Sequence, residues 1–455
     1  MQLRPHVATF AQLLVLVRLL AGGAAASDWP RFRGPNGTGL AADSASTPTT
    51  WSPTKNLQWK TPLPGSGISS PIVVGRRVFV TCYTGYGLNR EAPGDQKDLK
   101  RHLVCIDRHS GDILWDKTVD PYLPEDEFSG LGLPEHGYAS HTPVSDGEHV
   151  YVFFGKSGAL AFDLDGNEIW HNDRLGSQSD KQRWGSSSSP IVVGNVLVVS
   201  AGPEGRAIYG LNKNTGEEIW RATGENPEAL GNVWSTPVES NDGRGRTDVV
   251  IGVTNQIWGL NPNTGEQRWV YKNFPGWCFN TTLAVSDELI VGVEGKGGLS
   301  FALRPGGEGD IAESQVAWSH GTNNRFASPV LFDGRGYYVS SEVIHCFDVT
   351  TGEEIFKARL PEGTDSSDGG VRGPRKSGDE GSDFSSPVIA DCKLYFVMRP
   401  GEIQVIDATA KEFKSLAVNR IATESEDFSA TPAISDGQIF FRSNKHLYCI
   451  SSQPH

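Results

Sequence analysis

The chain has 455 residues and a formal net charge of -13, with 53 glycines, 27 prolines and only 2 methionines. Its length is roughly three ordinary domains, unless it is one long repeat array. The acidic balance argues against a nucleic-acid or anionic-membrane partner for the surface as a whole. The glycine and proline content suits an all-β chain with many turns.

In chain order, Arg4 and His6 precede the apolar run Phe10–Leu20, and Ala24-Ala25-Ala26 then offers a small-residue cleavage site. This predicts an export signal over residues 1–26, with the mature chain starting at Ser27. The run is short for a membrane span, no cysteine near the cut could carry a lipid, and no later stretch could cross a membrane. An exported, soluble protein is expected. Residues 27–55 read as a leader packed on the body. Its first part, Asp28–Gly39, places Arg31 and Arg33 among aromatics and turn formers without helical or strand periodicity. A polar stretch, Ser44–Pro53, follows, and then a strand around Trp59.

From residue 56 to 455 one pattern recurs. Its starts are Ser70-Pro71, Thr142-Pro143, Ser189-Pro190, Thr236-Pro237, Thr282-Leu283, Ser328-Pro329, Ser386-Pro387 and Thr431-Pro432, mostly about 46 residues apart. Each copy runs through two apolar strands, a glycine-containing loop and a third strand. A turn such as Asn214-Thr215-Gly216-Glu217 then leads to a strand closing on an aromatic. The closing residues are Trp115, Trp170, Trp220, Trp269, Trp318 and Phe356. Glycine suits such a turn because it takes positive φ without steric cost. A period in the forties with four short strands predicts an eight-bladed β-propeller of four-stranded antiparallel blades. Copy eight ends near Ser451 without a fourth strand, while Gln58-Trp59 resembles the missing one. Asn56–Leu63 is therefore expected to complete the last blade, closing the ring and removing its open edges.

Cys105, Cys346 and Cys449 fall at one repeat position, which reads as small buried apolar residues. Cys82 with Cys105 is the one pairing the spacing leaves open.

The Asp-x-x-Thr-Gly-Glu-x-x-Trp spacing, preceded by Tyr/Cys-x-Leu/Phe and by Ser/Thr-Pro-Val, resembles the pyrroloquinoline-quinone (PQQ) repeat family. The resemblance covers almost everything after Asn56. The family contains PQQ- and calcium-dependent dehydrogenases of alcohols or sugars. It also contains non-catalytic propellers such as the outer-membrane assembly lipoprotein, whose lipid-anchor cysteine this chain lacks. The dehydrogenases imply a Glu/Asn/Asp calcium set, a catalytic Asp and an adjacent Cys-Cys pair; the pair is absent here. Glu294, Asn280, Asp383 and His141 are scattered candidates for that set. Fold alone does not choose between these functions. The reading taken is a non-catalytic binding or scaffold propeller, expected to be a monomer with no cofactor. Its partner would be a protein, a glycan or a small molecule. The alternative is the PQQ- and calcium-dependent dehydrogenase.

The long inserts fall in second-to-third loops and blade connections, which share one face of a propeller. That face is the expected binding face. Its ligand-binding candidates are Arg183, Trp184, Trp234, Trp277, Asn280, Arg325, Phe326 and Asp383, where connections enter the innermost strands around the channel. Lys156, Arg206, Lys296, Arg399 and Lys445 are expected to form a basic ring there, and the leader to fold over the same face. The turn Asn241–Asp248 on the opposite face faintly resembles a calcium loop, but Arg244 and Arg246 oppose that use.

Overall fold

The computed structural model describes residues 28–452 except 43–44, 131, 181–183, 273, 276–277, 295–297, 323–325, 364–369 and 371–382. Eight antiparallel sheets surround one channel, and the expected propeller is what forms. Six blades are built from consecutive strands, and blade five is interrupted only by the short strand it lends to blade four; blade one is Ile72–Val74, Arg77–Thr84, Lys100–Asp107 and Ile113–Val119. The eighth joins Ala433–Ser435, Gln438–Arg442 and His446–Ile450 to the N-terminal strand Leu57–Pro62. In that last pairing Trp59 lies opposite Cys449 and Pro62 opposite His446. The glycine-rich insert of copy five adds Gly309–Asp310 as a parallel fifth strand beside Trp269 and Val270 of blade four.

The repeat motif is explained by how blades dock. The indole N–H of Trp170 donates to the Lys213 carbonyl in the next blade at 2.9 Å, and that of Trp220 to the Pro262 carbonyl at 2.8 Å. The ring also covers a turn glycine of that next blade. Gly216 has φ +73°, and a Cβ there would sit 2.5 Å from the Trp170 ring. Two constraints therefore fall on one glycine: a left-handed backbone and a neighbour's indole where a side chain would stand. Asn212 sets the turn itself, its side-chain oxygen accepting the Asn214 N–H at 2.9 Å while its carbonyl accepts the Gly216 N–H at 2.8 Å. Trp59 repeats the arrangement, donating to the Arg108 carbonyl at 2.9 Å and covering Gly111. The closing strand thus brings the standard blade-to-blade contact with it.

The same packing accounts for Cys105, Cys346 and Cys449. Opposite each closing aromatic stands a small residue: Cys105 faces Trp115, Ala161 faces Trp170, Gly210 faces Trp220, Cys346 faces Phe356 and Cys449 faces Trp59. A Cβ on Gly210 would lie 2.1 Å from Trp220, which shows how little room this position has. All six cysteines are free. Cys82 lies opposite His102 and Cys105 opposite Phe79, so the two are out of register for a bridge. Buried apolar side chains fill the seams between blades, the largest cluster joining blades seven, eight and one around Trp59 and Trp51. Among the described residues no helix is long and apolar enough to cross a membrane.

The leader corrects one expectation. It enters the channel from the short-turn end instead of covering the insert-bearing face. Trp29 pairs with Val73 on the innermost strand of blade one, and Asp28 accepts the N–H of the turn residue Gly75 at 2.7 Å. Pro30 accepts from Ser145 of blade two, Arg31 pairs with Glu239 of blade four at 3.1 Å, and Arg33 donates to the Pro329 carbonyl of blade six. Leu40 then bridges to Ile389 of blade seven. Its backbone thus pairs with channel-side N–H and C=O groups on the inner strands of blades one, two and seven. Beyond it, Trp51 packs on Tyr395 and Phe441, feeding the chain towards its closing strand.

Candidate functional site

The hydroxyl that opens each repeat faces the channel, and the eight form a closed ring. The backbone N–H of each donates to the hydroxyl of the next in the order Ser70, Thr142, Ser189, Thr236, Thr282, Ser328, Ser386, Thr431 and back to Ser70. All eight bonds measure 2.9–3.4 Å. The proline that follows most of them has no N–H, so the hydroxyl residue supplies the last backbone donor before each strand begins. All eight line one cavity of about 500 Å³. Phe32 of the leader lines it from the short-turn end; Trp184, Trp234, Asn280, Phe326 and Phe384 line it at the insert-bearing mouth.

Two aromatic pairs shape the mouth. Trp184 and Trp234 have ring centroids 6.3 Å apart, and Phe326 and Phe384 4.9 Å apart; both pairs are tilted by 56°. The Trp234 indole donates to the Gly185 carbonyl at 2.7 Å, and the Trp184 backbone N–H to Asp180 at 2.6 Å. The insert after blade one folds into a short helix, Leu133–His136, that leans over the mouth. Its His136 bonds the Trp184 carbonyl through Nε2 and Ser140 through Nδ1 at 2.6 Å, and burial holds the imidazole below its ordinary pKa. Glu135 of the same helix pairs with Arg399 of blade seven at 2.8 Å.

Four of the eight predicted residues, Trp184, Trp234, Asn280 and Phe326, are thus brought together on the cavity. Asp383 stands apart from its lining and accepts the Arg399 backbone N–H at 2.8 Å. Arg183, Trp277 and Arg325 lie outside the described residues. Phe32, Glu135, His136 and the hydroxyl ring were not singled out from the sequence as cavity residues. The ring had a signal, a hydroxyl at one repeat position eight times over, which registered only as a strand start.

The expected basic ring does not stand open, because each described member has acidic company. Lys156 bonds Asp126 at 2.7 Å, Arg206 lies 3.6 Å from Glu228, and Lys445 bonds Glu424 at 2.9 Å. Arg399 is held by Asp427 at 2.7 Å as well as by Glu135. Lys296 lies outside the described residues.

The candidates for a quinone–calcium set are dispersed among different blades. Glu294 and Asn280 are neighbours, but Glu294 accepts the backbone N–H of Asn280 at 2.8 Å, that of Thr281 at 2.5 Å and the Asn280 amide N–H at 3.4 Å. Burial pushes its pKa up to about 7 against the pull of those donors. His141 bonds Ser186 at 2.9 Å, and burial, with Arg101 and His136 nearby, lowers its pKa to about 3. A calcium site needs several carboxylate and amide oxygens aimed at one point; Glu294 and Asp383 instead accept backbone N–H groups in different blades, so the described set does not fit the ion. Among the described residues the one acidic-histidine trio close enough for a metal is Glu424, Glu426 and His446 of blade eight. Its buried member Glu426 is already bonded by Tyr448 at 2.7 Å, by His446 at 3.0 Å and by Ser443. In the Asn241–Asp248 turn, Asp248 is taken by Arg268 at 2.6 Å and Arg246 at 3.0 Å.

Comparison with known proteins agrees with this architecture. No curated protein sequence matches the chain. Among solved structures, BamB from Moraxella catarrhalis aligns with a TM-score of 0.52 at 13% identity, over 91% of this chain and 99% of that one. Quinohemoprotein alcohol dehydrogenase from Comamonas testosteroni aligns with a TM-score of 0.62 at 14% identity, over 96% and 82%. A europium-containing methanol dehydrogenase aligns with a TM-score of 0.58 at 12% identity, over 93% and 89%. At such identities these likenesses speak for the fold. A PQQ-repeat family model, described as outer membrane protein assembly factor BamB, matches residues 96–244 and 204–363, a span of more than half the chain. The chain belongs to this family of PQQ-repeat β-propellers.

Proposed function

We propose that this is an exported binding propeller without chemistry of its own, holding a ligand or partner at the insert-bearing mouth of its channel. One observation carries the reading. The cavity is walled mainly by hydroxyls and aromatic rings, while the described carboxylates and imidazoles on or near it are engaged in structural bonds: Glu135 with Arg399, His136 with Trp184 and Ser140, Asp383 with the Arg399 backbone, Glu294 with Asn280 and Thr281, and His141 with Ser186. A general base must reach a substrate proton at hydrogen-bond distance with a free acceptor; Glu135 lines the cavity with its carboxylate held by Arg399, and the others are engaged by protein donors. The leader fills the opposite end, so the insert-bearing mouth is the side from which a ligand arrives.

The test is reconstitution. Purified protein is incubated with PQQ and Ca²⁺, dialysed, and assayed for dye reduction with primary alcohols and aldose sugars. The expected result is no retained quinone absorbance and no dye reduction. Retained quinone with substrate-dependent turnover would overturn the binding reading in favour of a dehydrogenase.

A further inference from the structure

We infer that the cavity takes a neutral carbohydrate, either a free mono- or disaccharide or the end of a longer glycan; this rests on the binding reading above. The first support is the hydroxyl ring. Each ring hydroxyl accepts one backbone N–H, and among the described residues none of the eight donates its own proton to a protein acceptor. The wall therefore offers a circle of O–H donors to whatever fills it. A sugar carries ether and hydroxyl oxygens around its rim and can accept them. A hydrocarbon would bury those donors unpaired, which is costly.

The second support is the mouth. Aromatic faces carry negative potential and attract the slightly positive C–H faces of a pyranose. Trp184, Trp234, Phe326 and Phe384 offer four such rings, and the 56° tilt within each pair makes neither a parallel slot for a flat heterocycle. The third is charge. Lys156, Arg206, Arg399 and Lys445 are each paired with carboxylates, and the chain's net charge of -13 disfavours an anionic ligand at long range. Size agrees: about 500 Å³ falls within the roughly 300–1,000 Å³ typical of small-ligand sites. Phe32 lies across the far end, so a glycan would enter by its terminus instead of threading the channel.

The experiment is calorimetric and tryptophan-fluorescence titration of the mature protein. The probes are glucose, cellobiose, maltose, lactose, mannobiose and chitobiose, with the hexasaccharides of the same linkages. Glucuronate and PQQ serve as controls. At least one neutral saccharide should bind saturably, and glucuronate at least tenfold more weakly than glucose. Trp184→Ala should weaken binding tenfold or more at an unchanged melting temperature; Phe326→Leu, which keeps the mouth filled, guards against a folding defect and should weaken it severalfold. Equal affinity for a disaccharide and its hexasaccharide marks a free sugar or chain end as the ligand. A hexasaccharide preference of tenfold marks the longer glycan. No binding of any neutral saccharide up to about 10 mM, with no response to PQQ, would remove the carbohydrate assignment and leave the binding reading standing. PQQ saturation with dye reduction would remove both.

Discussion

Replacing Trp59 by alanine asks whether the N-terminal strand closes the ring as other strands close other seams. Trp59 is 7% exposed, donates its indole N–H to the Arg108 carbonyl at 2.9 Å, packs against Phe440 at 5.9 Å and covers Gly111. Emptying a buried tryptophan site costs about 3–5 kcal/mol, and the stranded carbonyl adds about 1 kcal/mol. Trp59→Phe keeps most of the ring contact and loses the hydrogen bond, so about 1–2 kcal/mol is expected. Trp170→Ala, at a seam between consecutive blades with the same bond at 2.9 Å, is the reference. Urea unfolding followed by far-UV circular dichroism should show Trp59→Ala and Trp170→Ala losing stability in the same class, and deletion of 56–63 should abolish the cooperative transition. The reasoning is refuted if Trp59→Ala unfolds at the wild-type midpoint while Trp170→Ala does not.

Further predictions follow from the buried charges and the leader. His141 has a folded pKa near 3, below its ordinary value of 6.5, so the unfolded chain takes up a proton that the folded one refuses. Its contribution is present above pH 6.5 and is lost as pH falls towards 3; between pH 6.5 and 5 the loss is about 2 kcal/mol. His141→Gln, which keeps a donor towards Ser186 and does not titrate, should flatten that part of the pH–stability curve. Arg33 is fully buried, its Nε and Nη1 lack hydrogen-bond partners, and burial alone lowers its pKa to about 9. An apolar replacement of a poorly compensated buried charge is often neutral or stabilising, so Arg33→Met should melt at or above the wild-type temperature. A large fall would show that the cation has an acceptor in solution. Amino-terminal sequencing of protein recovered from the exported fraction should begin at Ser27; retention of residues 1–26 would contradict the export signal.

The propeller was legible because its constraints repeat. A turn glycine, a closing tryptophan and a Ser/Thr-Pro start recur often enough to fix blade number, and the missing strand of copy eight identified its substitute at Trp59. The site was only half legible. Trp184, Trp234, Asn280 and Phe326 could be placed at the mouth because chain connections bring them to the inner strands. Side-chain pairing had no such signal. Nothing local in the sequence says that Arg399 of blade seven meets Glu135 from the insert after blade one, so the basic loops looked like an open ring. The leader misled for a related reason. It was expected over the insert-bearing face, whereas its backbone pairs with the inner strands of blades one, two and seven from the opposite end.

The most direct test of the central claim is oxidative footprinting of the protein with and without the tightest saccharide found by titration. The account predicts protection of Trp184, Trp234 and Phe326, with the turn at Asn241–Asp248 and the leader residues Trp29 and Phe32 unchanged or, for Phe32 alone, protected from within the cavity. Protection concentrated on the short-turn face, with Trp184 and Trp234 oxidised as fast as before, would contradict it.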